Sequence, residues 1–221
     1  LLVIDKPAGL VVHPAAGHWS GTLLNGLLAH HVAAAGLPRA GIVHRLDKDT
    51  SGLMLVGKSR QAVDALVRAI AAREVQRLYL AIAHGVLQGP AERLVDQPVG
   101  RDPHNRLRMA VLRADAAAGK PAQTTVLRLD STAQATLVAC RLHTGRTHQI
   151  RVHMAWLGHP LVGDAVYGGR PLWGMERQAL HATRLRLQHP VTGQPLVFDS
   201  PPPADFQAAL SRGGLHYNGL P

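Results

Sequence analysis

Apolar residues follow two rhythms along this chain, and the changes of rhythm mark the elements. The run Leu1-Leu2-Val3-Ile4-Asp5 closed by Lys6-Pro7-Ala8-Gly9 predicts a strand and a turn, and Leu10-Val11-Val12 resumes a β-prone pattern. Thr22 stands ahead of Leu23, Leu24, Leu27, Leu28 and His31, which lie on or near one helical face. That spacing predicts a helix capped by Thr22, running over 22–35 and stopped by Gly36 and Pro38. Ser59 is placed to cap a second helix, with Ala62, Ala65, Leu66 and Ile70 at helical spacing. Between the two helices, residues 41–57 hold a polar cluster and then the strand-like Leu53-Met54-Leu55-Val56.

Further along, residues 76–83 read as a strand with Leu78, Leu80 and Ile82 on one face and Tyr79 and Ala81 on the other. Residues 85–120, rich in Gly, Pro, Asp and Arg, predict loops with short strands. Residues 124–129 and 135–142 form two strands around Asp130-Ser131-Thr132, a hairpin-like connection. His143-Thr144-Gly145-Arg146 reads as a turn, and Thr147 as the cap of a helix through Trp156. Strands over 180–188 and 195–198 and a short helix over 203–210 close the chain. Hairpin-like pairs with few helices favour an α+β fold, a mostly antiparallel mixed sheet with flanking helices, over a βαβ series. No GxGxxG or GxxxxGK[ST] follows a strand, so a dinucleotide or P-loop fold is excluded.

Composition narrows the partners. The 221 residues suit one domain over 1–221, and 46% apolar with only 4% aromatic means a core of Leu, Val, Ile and Ala. The net charge is +10, and only Lys6, Lys48, Lys58 and Lys120 of the 24 basic residues are lysine. An arginine-dominated positive surface attracts polyanions and suits nucleic acid, although a codon bias towards Ala and Arg gives the same composition. Cys140 is the single cysteine, so neither an intrachain disulfide nor a CxxC metal knuckle can form. The chain carries no 18-residue apolar run and no charged-then-apolar leader, which points to a cytoplasmic protein without a membrane partner. Its start inside an apolar run suggests that it begins within a longer protein.

Two clusters carry candidate chemistry. His44 to Gly52 packs two carboxylates, two cations, an imidazole and two hydroxyls into nine residues between apolar segments. Such a cluster is either a solvated surface loop or a functional network, because unpaired charge near a core is costly. Spacing alone does not choose between Asp47 and Asp49. The second cluster runs from Leu142 to His153 and places Arg151 near a helix N-terminus, an end that favours anions. His148 and His153, five apart, are poorly spaced for a shared metal and read as hydrogen-bonding or RNA-contacting side chains.

The segment from Gly41 to Leu53, with His44-Arg45-Leu46-Asp47 and Thr50-Ser51-Gly52, resembles the HRLDxxTSG signature of RluA-type pseudouridine synthases. The resemblance continues in order through Asp5-Lys6-Pro7-Ala8-Gly9, Arg77-Leu78-Tyr79-Leu80-Ala81, Gly119-Lys120-Pro121-Ala122 and Thr144-Gly145-Arg146-Thr147-His148-Gln149-Ile150-Arg151. Gly163-Asp164-Ala165-Val166-Tyr167-Gly168 and Leu180-His181-Ala182 follow. Val12-His13-Pro14-Ala15-Ala16-Gly17 and Gly21-Thr22-Leu23-Leu24-Asn25 look closest to the RluD branch.

The resemblance implies the pseudouridine-synthase catalytic fold with a central cleft, and an isomerase that converts uridine in RNA to pseudouridine without cofactor or metal. It implies Asp47, rather than Asp49, as the catalytic carboxylate, Tyr79 stacked on the uracil, and Arg151 paired with the carboxylate. Arg45 would enter the RNA, with His44, Arg146 and His148 as further RNA contacts. The implied partner is 23S ribosomal RNA, with the helix-69 loop as the specific target, bound by a monomer. An S4-type RNA-binding domain, usual before the first catalytic strand in this branch, is not in the sequence. A binding module without turnover is the competing reading, and the full set Asp47, Tyr79 and Arg151 argues against it.

Overall fold

The computed structural model describes residues 1–15, 17–105, 108–113 and 115–220. In chain order the first half contains β1 (Leu2–Lys6), α1 (Leu23–His30), 3-10 turns at Val32–Gly36 and Pro38–Gly41, β2 (Ser51–Val56), α2 (Arg60–Ala71) and β3 (Gln76–His84). The second half contains β4 (Glu92–Asp96), β5 (Val99–Arg101), β6 (Met109–Val111), β7 (Gln123–Ser131) and β8 (Ala135–Leu142). It ends with α3 (Gln149–Trp156), a 3-10 turn at Ala165–Tyr167, β9 (Leu180–Gln188), β10 (Pro195–Asp199) and α4 (Ala204–Gly213). The chain forms two compact units, Leu1–Arg77 with Ala182–Pro201, and Leu78–His181 with Pro202–Pro221. The divisions fall inside β3 and β9.

In the first unit β1 pairs antiparallel with β2, from Leu2 opposite Val56 to Lys6 opposite Gly52. β9 and β10 form a second antiparallel pair, with Pro195 opposite Gln188 and Asp199 opposite Arg184. Leu53, Leu55, Leu66, Val75, Leu185 and Leu187 make its core. All six residues of β2 are buried, which is why this strand reads as an apolar run rather than an alternation. Ser59 caps α2 as its sequence predicts, its side chain accepting from the Ala62 N–H at 3.2 Å.

Thr22 also caps α1 as predicted, with Asn25 completing a capping box. Two neighbouring expectations fail. The helix stops at His30, because His31 turns extended and sets its ring 3.3 Å from the Lys58 carbonyl, and a 3-10 turn replaces the remaining length. Leu10-Val11-Val12 is not a strand. The Val11 and Val12 carbonyls instead accept the Leu23 and Leu24 N–H groups at 2.9 and 3.1 Å, serving donors that a helix start leaves without internal partners. Ala16, within the 12–17 motif, lies outside the described residues.

The second unit has β8 beside β3, then β7 and β4. β7 and β8 form the predicted antiparallel hairpin, with β7 extending to Ser131, and β4 pairs antiparallel with β7. β5 and β6 make a separate antiparallel ribbon. Leu80, Ile82, Leu137, Val162, Met175 and Phe206 lead the main core, with Phe206 contributed by α4. A smaller core of Val99, Ala122 and Val152, flanked by Met109, Val111 and Tyr167, seats α3 beside the β5–β6 ribbon. The architecture is α+β with a mostly antiparallel sheet, as the strand pattern predicts, and among the described residues there are four α-helices.

Candidate active site

The His44–Gly52 segment is neither helix nor strand until β2 begins at Ser51. Three devices hold it. Lys6 is fully buried, and its ammonium donates to the carbonyls of Pro7 at 2.8 Å, Leu10 at 3.0 Å and Lys48 at 2.8 Å. The Lys48 carbonyl also accepts the Gly9 N–H at 2.9 Å. The DKPAG turn therefore grips the carbonyl of Lys48, the residue after Asp47, across 42 positions of sequence. The third device is His44, whose Nε2 accepts the Leu55 N–H of β2 at 2.9 Å.

An acceptor at Nε2 puts the proton of a neutral imidazole on Nδ1. That Nδ1 is buried without a hydrogen-bond partner. Burial, with the Arg77 charge behind it, lowers the His44 pKa to about 3. His44 is thus a neutral pin between the motif and β2. Leu46 is buried, Asp47 half-buried and Arg45 exposed. Thr50 N–H closes a turn on the Asp47 carbonyl at 3.1 Å.

Two glycines explain how the loop fits. Gly52 has φ +109, and a Cβ there would lie 2.3 Å from the Ala182 carbonyl oxygen. Gly41, with φ +86, would meet the Gly57 oxygen at 2.1 Å, and it ends a left-handed run that begins with Arg39 and Ala40. Two successive non-glycine residues in that region store strain just ahead of the polar cluster. His13 lies in the field of Arg45 and Arg39, and burial and then these two charges lower its pKa.

In the second unit Tyr79 lies on β3 and is 5% exposed. The Thr144–Arg151 motif is organised by Gln149. Its Oε1 accepts from the Thr144 hydroxyl at 2.7 Å and the Arg146 N–H at 3.0 Å, and its amide donates to the Gln123 carbonyl and the Thr124 hydroxyl. Thr147, predicted as the cap of α3, is exposed and does not serve. The helix begins at Gln149 behind His148, which sits left-handed at φ 57 and turns the chain into the helix. Arg151 is the third helical residue, in the first turn as its spacing implies.

Arg151 forms a buried, two-pronged ion pair with Asp164, Nε to Oδ2 at 2.7 Å and Nη2 to Oδ1 at 2.8 Å. Its guanidinium lies 5.0 Å from the centre of the Tyr167 ring. The Tyr167 hydroxyl accepts the Met109 N–H at 3.0 Å and meets His148 Nδ1 at 2.8 Å. Arg146 is exposed, with Nε donating to the Pro121 carbonyl at 3.0 Å. His153 is a structural histidine, held by the Thr124 hydroxyl and the Gln97 carbonyl. Among the described residues no three His, Cys, Asp or Glu side chains are grouped as a metal would require.

The first unit thus gathers His44, Arg45 and Asp47, and the second gathers Arg146, His148 and Arg151, with Tyr79 on β3. Sequence reasoning assigned no role to Lys6, Gln149, Asp164 or Tyr167, although all four lie in the quoted motifs. The available signal was Asp164 itself, an acid directly after Leu161-Val162-Gly163, which buries at a cost unless a cation meets it.

The sequence profile of the family described as RNA pseudouridylate synthase matches residues 1–156. Ribosomal large subunit pseudouridine synthase D of Neisseria meningitidis serogroup B is 50% identical over 222 residues, covering 96% of this chain and 58% of that protein. The protein of the same name from Nitrosomonas europaea is 50% identical over 218 residues, covering 95% of this chain and 62% of its own length. The chain therefore spans about three fifths of these relatives. Human RNA pseudouridylate synthase domain containing 4 superposes with TM-score 0.78 at 25% identity, over 98% of this chain and 91% of that one. Human RNA pseudouridylate synthase domain containing 1 gives 0.69 at 28% identity, over 90% and 79%. With the profile covering most of the chain and half of its residues shared with these relatives, the chain belongs to the RNA pseudouridylate synthase family.

Proposed function

We propose that this chain is the catalytic domain of an isomerase that converts uridine in 23S ribosomal RNA to pseudouridine, with Asp47 as the reacting carboxylate. The observation that carries the reading is the 50% identity to ribosomal large subunit pseudouridine synthase D along nearly the whole chain. Asp47 stands in the signature segment, on a loop whose backbone is locked by Lys6, Gly9 and His44. The helix-69 loop is the proposed target and the cytoplasm the proposed compartment.

The reaction balances without a co-reactant. The bond from C1′ to N1 breaks, the base turns, a bond from C1′ to C5 forms, and the C5 proton is lost while N1 gains one. Breaking the glycosidic bond builds positive character at C1′, which a carboxylate can meet as nucleophile, base or electrostatic partner. Arg151 is the cation this reading assigns to the reaction, and Tyr79 presents its ring to the uracil and its hydroxyl to the C5 proton. Arg45, exposed, enters the RNA as the target leaves its stack, with Arg146 and His148 as further RNA contacts and His44 pinning the loop from behind.

The test is an assay of purified Asp47→Asn, Asp49→Asn and wild-type protein on one helix-69 fragment of 23S RNA. Asp47→Asn should fold, bind the RNA and form no detectable pseudouridine, while Asp49→Asn keeps substantial activity. An active Asp47→Asn protein sinks the assignment. Activity only on another ribosomal or transfer RNA keeps the chemistry and moves the target.

A further inference from the structure

The Arg151–Asp164 pair is an expensive arrangement for mere cohesion. Arg151 is 5% exposed and Asp164 1%. Removing two charges from water costs about as much as their attraction returns, so matched apolar side chains would hold α3 equally well. What the pair supplies is direction. A carboxylate locked on the Nε–Nη2 edge fixes both the heading and the plane of the guanidinium, which a single hydrogen bond or a lysine would not.

Tyr167 adds a second constraint from the same short turn. Its ring carries the guanidinium at 5.0 Å, and its hydroxyl joins the Met109 N–H of β6 to His148, the left-handed residue that starts α3. The β5–β6 ribbon and the first turn of α3 are therefore tied through one phenol oxygen. Two of the five N–H groups of Arg151 go to Asp164, and this bidentate contact fixes the direction in which the guanidinium presents the others.

We propose that Asp164 and Tyr167 are positioning residues that preorganise Arg151 for pseudouridine formation. The proposal rests on the reading of Arg151 given above. Asp164 aims the guanidinium and prevents rotation about its Nε bond, and Tyr167 holds its plane and links it to β6. A donor already aimed needs no reorganisation when charge develops in the transition state.

The test compares wild-type, Asp164→Asn, Asp164→Glu, Tyr167→Phe and Arg151→Ala proteins. Single-turnover pseudouridine formation on the 23S fragment is measured together with RNA affinity and thermal melting. Asp164→Asn should lower the rate constant about 100-fold while RNA affinity stays within about threefold. Asp164→Glu restores the charge and should recover a substantial part of that loss. Tyr167→Phe keeps the ring and should cost about tenfold.

A purely structural role would lower the melting midpoint and the active fraction but leave the rate constant of the surviving enzyme unchanged. That result overturns the proposal. An inactive Arg151→Ala beside an Asp164→Asn rate constant within about threefold of wild type overturns the positioning role alone. An Arg151→Ala protein at the wild-type rate removes the reading of Arg151, and the positioning role with it.

Discussion

Replacing Lys6 by Met keeps most of the volume of a fully buried side chain and removes only its ammonium. Three carbonyls, those of Pro7, Leu10 and Lys48, lose a charge-assisted donor. Lys48 keeps the Gly9 N–H at 2.9 Å, so its loss is partial. A buried acceptor deprived of its donor costs about 1–3 kcal/mol, so about 2–6 kcal/mol is an upper range for the other two, Pro7 being exposed and Leu10 half-buried. Part is offset because the charge no longer has to be buried, leaving a net destabilisation of about 2–4 kcal/mol. For a chain of this size each kcal/mol moves the melting midpoint by about 2–4 °C, so Lys6→Met should melt about 4–16 °C below wild type. Because the released carbonyl directly follows Asp47, the rate constant for pseudouridine formation should also fall, by about tenfold or more, at a temperature where both proteins are folded. Thermal melting by circular dichroism and a single-turnover assay read the two effects. A variant that melts within about 2 °C of wild type and reacts at the same rate would refute the argument that Lys6 holds the loop.

Gly52→Ala should fail to fold or lose most of its activity, because φ +109 is combined with a Cβ 2.3 Å from the backbone oxygen of Ala182; a soluble, fully active variant contradicts that packing. His44 has a folded pKa of about 3 against an unfolded value near 6.5, so its contribution to stability is complete above about pH 6.5 and is lost progressively as the pH falls towards 3. Denaturant unfolding should show wild type losing about 2 kcal/mol more than His44→Gln between about pH 6.5 and 5, and equal pH slopes would refute the assignment of a neutral pin. RNA affinity should fall about 100-fold or more between roughly 50 and 200 mM salt, as a chain of net charge +10 displaces counterions, and a flat salt response would remove phosphate contacts from the reading.

Local chemistry was readable from the sequence wherever a few adjacent residues settle the outcome. Ser59 and Thr22 start their helices because a side-chain oxygen within three positions satisfies an early N–H. The β7–β8 hairpin forms because two β-prone runs flank a short polar connection. The ordered motifs around Asp47 and Arg151 likewise announced the family, since motif order is a property of the chain itself. Other outcomes depended on atoms far along the sequence. Leu10-Val11-Val12 has strand composition, yet its carbonyls are claimed by the first N–H groups of α1. Thr147 is a good cap type, but the left-handed turn at His148 passes it by and Gln149 gathers the motif.

The burial of Lys6 against Lys48, and of Arg151 against Asp164, belongs to the same class. Each residue stood in a recognised motif, but sequence spacing does not show which group, a backbone carbonyl for Lys6 or a carboxylate for Arg151, a buried charge will meet. Hydrophobic rhythm and caps are decided within a turn or two of chain. The partner of a desolvated ion is decided by whichever segment the packed core brings within hydrogen-bond reach, and only the tertiary structure determines that.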